Sequence, residues 1–179
     1  MAVLDIPADV RDRARRVRVL GLDIDGVMTD GGLYFGADGE HHKRFNVQDG
    51  FGLKLLMAAG ITIVVITGRS STIVARRAAD LGITDVFQGV PDKRACLGAF
   101  LAGKGLSWRE AAYMGDDWPD LGVLRQAGLA LAPANADAAV LAHVHWRSPR
   151  GGGQGAVRDA AELLLRAQDR YDALLAEHL

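Results

Sequence analysis

The sequence predicts an α/β fold, a Rossmann-like parallel sheet with helices on both of its faces. Two observations lead to this prediction. Short apolar segments alternate with longer helical segments along the 179 residues, and most helical segments are followed by a glycine, which commonly ends a helix. The β-branched run at residues 61–66 has no polar interruption, as expected of a strand that is buried on both faces.

The first half of the chain contains two predicted strands, a hairpin and a helix. In order, these are a strand at 17–22, a hairpin at 31–40, a helix at 49–59 and a strand at 61–66. Tyr34 and Phe35 in a glycine-rich stretch, with a turn near 37–39, indicate the hairpin. Gly60 marks the end of the helix. A small β-hairpin is therefore inserted after the first strand.

The second half repeats the alternation and ends in a long helix. Helices are predicted at 70–81, 92–102 and 119–127, and short strands near 86–87, at 112–114 and at 129–131. The stretch from Gly151 to Gly155 contains four glycines, which predicts a flexible segment. An apolar stripe with one polar interruption, Gln168, predicts a last helix from Ala156 to about Ala176.

The composition excludes several classes of protein. The formal net charge is −1, so the chain offers no strongly basic surface to a nucleic acid. No apolar run approaches the ~20 residues that cross a bilayer, and the N-terminal segment lacks the apolar region of a signal peptide. The single cysteine, Cys96, excludes an internal disulfide. We expect a cytoplasmic protein without nucleic acid or membrane as a partner.

Polar residues follow the predicted strands at the points where these strands end. They are Asp23 and Asp25 after the first strand, Thr67, Gly68 and Arg69 after the second, Lys93 before the third helix, and Asp116 and Asp117 after the fourth strand. Because the carboxyl ends of parallel strands lie at one edge of the sheet, where ligands bind, we expect these groups to converge on one crevice.

This set of groups is typical of phosphoryl transfer, which needs positioning and charge stabilisation. Asp23 can attack phosphorus as a carboxylate nucleophile. Asp25 can protonate the leaving oxygen and then accept a proton from the hydrolytic water. Thr67 and the Gly68 N–H group can hold phosphate at the start of a helix, and Lys93 can bind its oxygens.

The same acidic residues predict a magnesium site, since Mg²⁺ prefers oxygen ligands. Asp23 and Asp116 are the preferred side-chain ligands. Asp117 is a further candidate, and the backbone carbonyl of Asp25 completes the predicted set.

These motifs resemble those of the haloacid dehalogenase superfamily of aspartyl-phosphate enzymes, and within it the 3-deoxy-D-manno-octulosonate 8-phosphate (Kdo 8-phosphate) phosphatases. The superfamily motifs are matched by Asp23-Ile24-Asp25-Gly26-Val27, Thr67, Lys93, and Gly115-Asp116-Asp117 with Asp120. The subfamily is matched by Thr29-Asp30-Gly31, Tyr34, Gly36, Gly39-Glu40, Lys43, Phe45-Asn46-Val47, Asp49-Gly50 and residues 153–158. The resemblance runs from Val17 to Gln168. Two positions depart from the subfamily pattern: Gln48 stands where arginine is usual, and Asp159 stands where glutamate is usual.

The resemblance implies one haloacid dehalogenase-like domain over residues 1–179, with the hairpin insertion at 27–45 and a flexible glycine-rich segment with a C-terminal helix at 150–179. Too few residues separate the motifs for a cap domain. The resemblance further implies a homotetramer in which hairpins and glycine-rich tails of neighbouring subunits cover each site. Gly151 to Gly155 and Arg158 would form that tail.

The implied reaction is Mg²⁺-dependent hydrolysis of Kdo 8-phosphate in lipopolysaccharide precursor synthesis. Arg69 and Arg158 are candidates for binding the sugar carboxylate, with Arg77 behind them, because an arginine can bind a carboxylate through two hydrogen bonds. Asn46 and Asp49 are candidates for the entrance. Two alternatives stay open: a phosphatase for a nine-carbon keto-sugar acid 9-phosphate, and a non-catalytic oligomerisation module of a sugar-nucleotide enzyme.

Overall fold

The computed structural model describes residues 6–179 and consists of strands and helices in alternation. The strands are β1 (Val19–Leu22), β2 (Tyr34–Gly36), β3 (Gly39–His42), β4 (Thr62–Ile66), β5 (Asp85–Phe87), β6 (Ala111–Met114), β7 (Leu129–Ala132) and β8 (Trp146–Arg147). The helices are α1 (Ala8–Ala14), α2 (Val47–Ala58), α3 (Thr72–Leu81), α4 (Lys93–Gly103), α5 (Leu121–Leu124), α6 (Ala138–Leu141), α7 (Ala156–Ala167) and α8 (Tyr171–Ala176). No helix among the described residues is long and apolar enough to cross a membrane.

The central sheet has six parallel strands in the order β5-β4-β1-β6-β7-β8. Side chains alternate between its two faces, so Leu20 and Leu22 belong to one buried apolar cluster while Val19 belongs to the other. Helices α1, α2, α3 and α7 cover the first face, and α4, α5 and α6 cover the second. The predicted α/β sheet with helices on both faces is confirmed.

The predicted hairpin is present as the antiparallel pair of β2 and β3, which lies after β1 and outside the central sheet. Gly36 pairs with Gly39 across the turn, and Gly39 has a φ of 112°, a conformation that glycine adopts without strain. Within residues 6–179, this hairpin is the only folded insertion between β1 and α2, so the described chain has no cap domain.

Two predicted helices differ from the observed elements. The segment 119–127 is a 3₁₀ turn at Trp118–Asp120 followed by the four-residue α5, because Asp117 and Asp120 cap the start of the turn. The last helix is not continuous. Helix α7 ends at Ala167. The side-chain amide of the next residue, Gln168, donates to the carbonyls of Ala14 and Val17, and the chain turns before α8. The polar interruption in the apolar stripe was the sign of this break. Helix α6 and strand β8 were not predicted.

The glycine-rich segment, predicted to be flexible, is packed against its own chain. Gly153 N donates to Val27 O at 3.1 Å, and Gly152 N donates to the Asn135 side chain at 2.6 Å. A Cβ at Gly152 would collide with the carbonyl of Gly26. Glycine at buried Gly152 therefore permits the close approach of two backbones, and the flexibility of the segment stays a prediction.

Candidate active site

A cavity of about 350 Å³ lies at the carboxyl ends of β1, β4 and β6. The sequence-predicted residues that line it are Asp23, Asp25, Thr67, Gly68, Arg69, Lys93, Asp116 and Asp117. Asp120 lines it as well. The parallel register of the three strands brings these distant positions to one edge, as Asp23 N still donates to Met114 O at 3.1 Å beyond the end of β1.

Asp23 and Lys93 form a buried ion pair at the bottom of the cavity. Lys93 Nζ lies 3.0 Å from Asp23 Oδ1, and the lysine is 5% exposed. Lys93 is the first residue of α4, which is capped by the Asp92 side chain, so the helix start fixes where the lysine enters the site. The predicted nucleophile and the predicted phosphate-binding cation are therefore in contact.

Asp120, which the sequence prediction did not include among the site residues, holds this pair in place. Its Oδ1 accepts hydrogen bonds from Lys93 Nζ at 2.7 Å and from Tyr113 Oη at 2.9 Å. Its Oδ2 accepts from the backbone N–H groups of Asp116 and Asp117 at 3.1 and 3.3 Å. Four donors satisfy both oxygens, so this fully buried carboxylate orients its neighbours. The acidic residue three positions after Asp117 was the available signal.

Asp116 is the cavity carboxylate whose charge is least compensated by hydrogen bonds and ion pairs. Its Oδ1 is buried and has no hydrogen-bond partner among the described residues. Burial, and then the nearby Asp23 carboxylate, raises the pKa of Asp116 to about 7. Burial and the Asp120 carboxylate likewise raise the pKa of Asp23 to about 6, although Lys93 opposes this shift. A divalent cation would remove both penalties.

Asp23 and Asp116 therefore fit a magnesium ion. Their carboxylate oxygens lie within 4.8 Å of one another and of an Asp120 oxygen. Because Asp120 is already saturated by donors, Asp23 and Asp116 are the side-chain ligands that the geometry favours. Asp117, the further predicted ligand, is exposed, and its Oδ1 accepts from Trp118 N at 2.8 Å to cap the 3₁₀ turn.

The loop after β4 contains the residues that are predicted to hold the phosphate group, Thr67 and Gly68. Thr67 is buried, and its Oγ1 accepts from Arg69 N at 3.3 Å, which shapes the turn around Gly68. The Arg69 side chain is half exposed and lies 3.5 Å from Asp25 Oδ2 and 3.8 Å from Glu40 Oε1. These long ion pairs leave the guanidinium free to take another anion.

Asp25 forms an ion pair with a lysine of the hairpin insertion. Lys43 Nζ lies 2.5 Å from Asp25 Oδ1 and 2.9 Å from Glu40 Oε1. Burial opposes the charge of Lys43, but its hydrogen bonds to the two carboxylates outweigh burial and raise the pKa of the ammonium. This contact was not predicted, because nothing in the sequence shows which way the hairpin folds back.

Four predicted substrate-binding residues lie outside the cavity. Asn46 accepts from Gln48 N at 2.8 Å and caps α2, and buried Asp49 accepts from the N–H groups of Gly155 and Arg158 at the start of α7. Arg77 lies over the ring of Phe45. Arg158 pairs with Glu162 at 2.8 Å and lies over the ring of Phe51. Within the single chain these four side chains make capping and packing contacts, and their role in substrate binding stays a prediction.

Comparison with known proteins agrees with this geometry. No protein-family model matches the chain. The 3-deoxy-D-manno-octulosonate 8-phosphate phosphatase KdsC of Yersinia pestis is 42% identical over 92% of this chain and 88% of its own length. The chain belongs to the KdsC family. The KdsC protein of Escherichia coli K12 is 38% identical over 93% of this chain and 89% of its own length.

Solved structures of a Kdo 8-phosphate phosphatase and of a related hydrolase share the fold. The Moraxella catarrhalis phosphatase, in complex with a magnesium ion, a phosphate ion and Kdo, has a TM-score of 0.93 and 37% identity, covering 96% of this chain and 98% of that chain. A haloacid dehalogenase superfamily hydrolase from Legionella pneumophila has a TM-score of 0.91 and 41% identity, covering 95% and 93%. The predicted superfamily and the closer relation to Kdo 8-phosphate phosphatases are both confirmed.

Proposed function

We propose that this chain is a Mg²⁺-dependent phosphatase that hydrolyses Kdo 8-phosphate to Kdo and inorganic phosphate. The observation that supports this most directly is the set of Asp23, Lys93 and Asp116 at one edge of the sheet, in which Asp116 Oδ1 is buried and has no hydrogen-bond partner among residues 6–179. Two carboxylates and one ammonium leave a net negative charge, which suits a bound metal ion. The metal ion can in turn bind a phosphate group. Family membership supports the same substrate.

In the proposed first step, a carboxylate oxygen of Asp23 attacks phosphorus, and the bond between phosphorus and the sugar oxygen breaks. Asp25 gives its proton to that departing oxygen. In the second step Asp25 takes a proton from water, the water oxygen attacks phosphorus, and the bond to Asp23 breaks. Phosphate leaves, and Asp23 and Asp25 return to their first states.

The remaining groups bind and orient the phosphate. Lys93 lies 3.0 Å from Asp23, so its ammonium can reach the equatorial oxygens of the phosphorus that Asp23 attacks. Thr67 and Gly68 line the same cavity, so the threonine hydroxyl and the Gly68 N–H group can bind the phosphate. Asp23, Asp116 and the backbone carbonyl of Asp25 would hold the magnesium ion, which would supply Lewis-acid stabilisation of the developing charge.

Arg69 is the residue that supports an acidic sugar as the substrate. It lines the cavity, is half exposed and has only long ion pairs to Asp25 and Glu40. A guanidinium placed there can bind a sugar carboxylate through two parallel hydrogen bonds. Kdo and the nine-carbon keto-sugar acids share that carboxylate, so the contact favours the class, and family membership favours Kdo.

A phosphate-release panel tests this proposal. Purified protein is offered Kdo 8-phosphate, the 9-phosphates of sialic and deaminated sialic acid, and neutral hexose 6-phosphates, with Mg²⁺ or with EDTA. We expect the highest kcat/KM with Kdo 8-phosphate, lower values for neutral sugars, and loss of turnover in EDTA. Equal or faster turnover of a 9-phosphate, or turnover that is indifferent to Mg²⁺, would contradict the proposal.

We also infer that the protein works as a homotetramer in the bacterial cytoplasm, within lipopolysaccharide precursor synthesis. The support for assembly is the exposure of large apolar side chains on the hairpin, with Leu33 49% and Phe35 62% exposed in the single chain. Light scattering should give the mass of four copies. Phe35→Glu should reduce that mass, and a wild-type protein that is monomeric at micromolar concentration would refute assembly.

A further inference from the structure

A lysine of the hairpin insertion contacts the predicted general acid, Asp25. Lys43 follows β3, its side chain is 1% exposed, and its ammonium lies 2.5 Å from Asp25 Oδ1. Lys43 does not line the cavity, whereas Asp25 and Arg69 do. Lys43 therefore contacts Asp25 from a buried position that is not part of the cavity lining, and it is not placed to bind the phosphate itself.

The position of Lys43 is fixed by a second set of contacts. Its ammonium also lies 2.9 Å from Glu40 Oε1 on β3. The other oxygen of Glu40 accepts a hydrogen bond from Ser71 Oγ, and Ser71 caps the start of α3. Ser71 N donates to Gln88 Oε1 at 2.6 Å. Lys43 is thus attached to the body of the domain and is not a mobile surface cation.

Asp25 needs such a contact because its own surroundings do not fix it. Its carboxylate is 20% exposed and lies in the loop after β1. Its Oδ2 faces Arg69 Nε at 3.5 Å, which is too long to restrict rotation. A general acid must be held within hydrogen-bond reach of the oxygen that it protonates, and a small displacement lowers the rate strongly.

We propose that Lys43 is a positioning residue for Asp25, holding Oδ1 so that Oδ2 points into the cavity toward the leaving-group oxygen. This proposal rests on the role assigned to Asp25 in the proposed function. It assigns a catalytic purpose to the insertion: the hairpin carries Lys43 and Glu40 across the strand ends, and it thereby sets the geometry of proton transfer to the sugar oxygen.

The test compares substrates whose leaving groups need a proton to different extents. An alkoxide leaving from a sugar phosphate requires protonation, whereas p-nitrophenolate leaves without it. For Lys43→Met we expect kcat/KM with the best sugar phosphate to fall at least tenfold, since general acid catalysis contributes about 10²- to 10⁴-fold. With p-nitrophenyl phosphate kcat/KM should fall less than about threefold, because kcat/KM reports the first step alone, in which p-nitrophenolate leaves without a proton from Asp25.

Two further variants separate positioning from a structural role. Lys43→Arg keeps a cation at the site and should recover part of the sugar phosphate activity. Arg44→Met is the matched control, because Arg44 is the next residue and its side chain is 60% exposed, where it pairs with Asp30 at 3.4 Å. It should leave the activities with both substrates unchanged. Equal losses with both substrates in Lys43→Met, or no loss with either, would overturn the proposal.

The outcome stays interpretable if Lys43→Met does not fold. Glu40→Gln keeps the lysine but weakens its second contact, and it should show the same substrate-dependent loss at a smaller size, whereas equal losses would overturn the proposal. Circular dichroism and thermal unfolding report folding for each variant. Failure of the proposed function would be seen separately, as wild-type protein that prefers another sugar phosphate, and the comparison is then made with that substrate.

Discussion

Two clusters of charged and polar side chains in this molecule differ in chemistry. The first, here called the cavity cluster, consists of Asp23, Lys93, Asp116 and Asp120. The second, the Asp159 cluster, consists of Ser148, Arg150 and Asp159 beneath the glycine-rich segment. Ser148 Oγ donates to Asp159 Oδ2 at 2.6 Å, and Arg150 Nε donates to both oxygens of Asp159 at 3.0 Å.

The difference lies in how completely the negative charge is satisfied. In the Asp159 cluster one carboxylate has one guanidinium and one hydroxyl as donors. In the cavity cluster three carboxylates share one ammonium, and one oxygen of Asp116 has no partner within the described chain. Unsatisfied buried charge costs stability, so such an arrangement persists where a ligand completes it. The comparison assigns a structural role to the Asp159 cluster and a functional role to the cavity cluster.

The largest expected effect is on the nucleophile. Asp23→Asn should lower kcat by about 10⁴-fold or more, because an amide cannot form the phosphorylated intermediate. The fold should be kept, since the substitution removes charge from an overcharged cluster. Phosphate release and circular dichroism measure the two effects. Asp12→Asn, at an exposed position of α1, is the control. Substantial turnover in Asp23→Asn would remove covalent catalysis from the proposal.

The second largest effect is expected on the binding of Mg²⁺. Mg²⁺ should raise the Tm of the wild-type protein, because ligand binding to the folded state stabilises it. In Asp116→Asn the stabilisation should be lost at the same Mg²⁺ concentration, and the affinity measured by calorimetry should fall at least about tenfold. An unchanged Mg²⁺ affinity in this variant would show that Asp116 is not a ligand, and the cavity cluster would lose its functional assignment.

A smaller effect is expected for the pH dependence of stability in EDTA. Asp116, with a pKa of about 7 in the folded state, keeps its proton at pH values where the unfolded chain, with a pKa near its usual ~3.9, has lost it. The free energy of unfolding should therefore fall as pH rises from 5 to 8, by on the order of a few kcal/mol. Asp116→Asn should show a smaller fall in denaturant titrations, and equal falls would contradict the raised pKa.

The smallest effect is expected in the Asp159 cluster. Asp159→Asn should lower the free energy of unfolding by about 2 kcal/mol, because it weakens charge-assisted hydrogen bonds from Arg150 and Ser148. Its kcat should change less than about threefold, since Asp159 does not line the cavity. Denaturant unfolding measures the free energy of unfolding, and phosphate release measures kcat. A large loss of kcat with unchanged stability would reverse the assignment of this cluster.

The sequence determined the order of the elements and the strand-end positions of the chemistry. The apolar run before Asp23, the run before Thr67 and the glycines after the helices predicted a parallel sheet, and the parallel register then required their ends to meet at one edge. The predicted residues that follow strands do line one cavity, because position along a strand is a local property that periodicity reveals.

Only the tertiary structure decided which charged residues face one another across distant segments. Asp49 and Arg158 have the same residue types as cavity residues, yet they cap α7 and pair with Glu162, whereas Lys43 and Asp120 hold Asp25 and Lys93. The sequence also could not show that Gly152 serves a close backbone contact. The physical reason is that a side chain's partner depends on the angles at which helices, hairpin and loops cross the sheet, and these are set by packing of the whole chain.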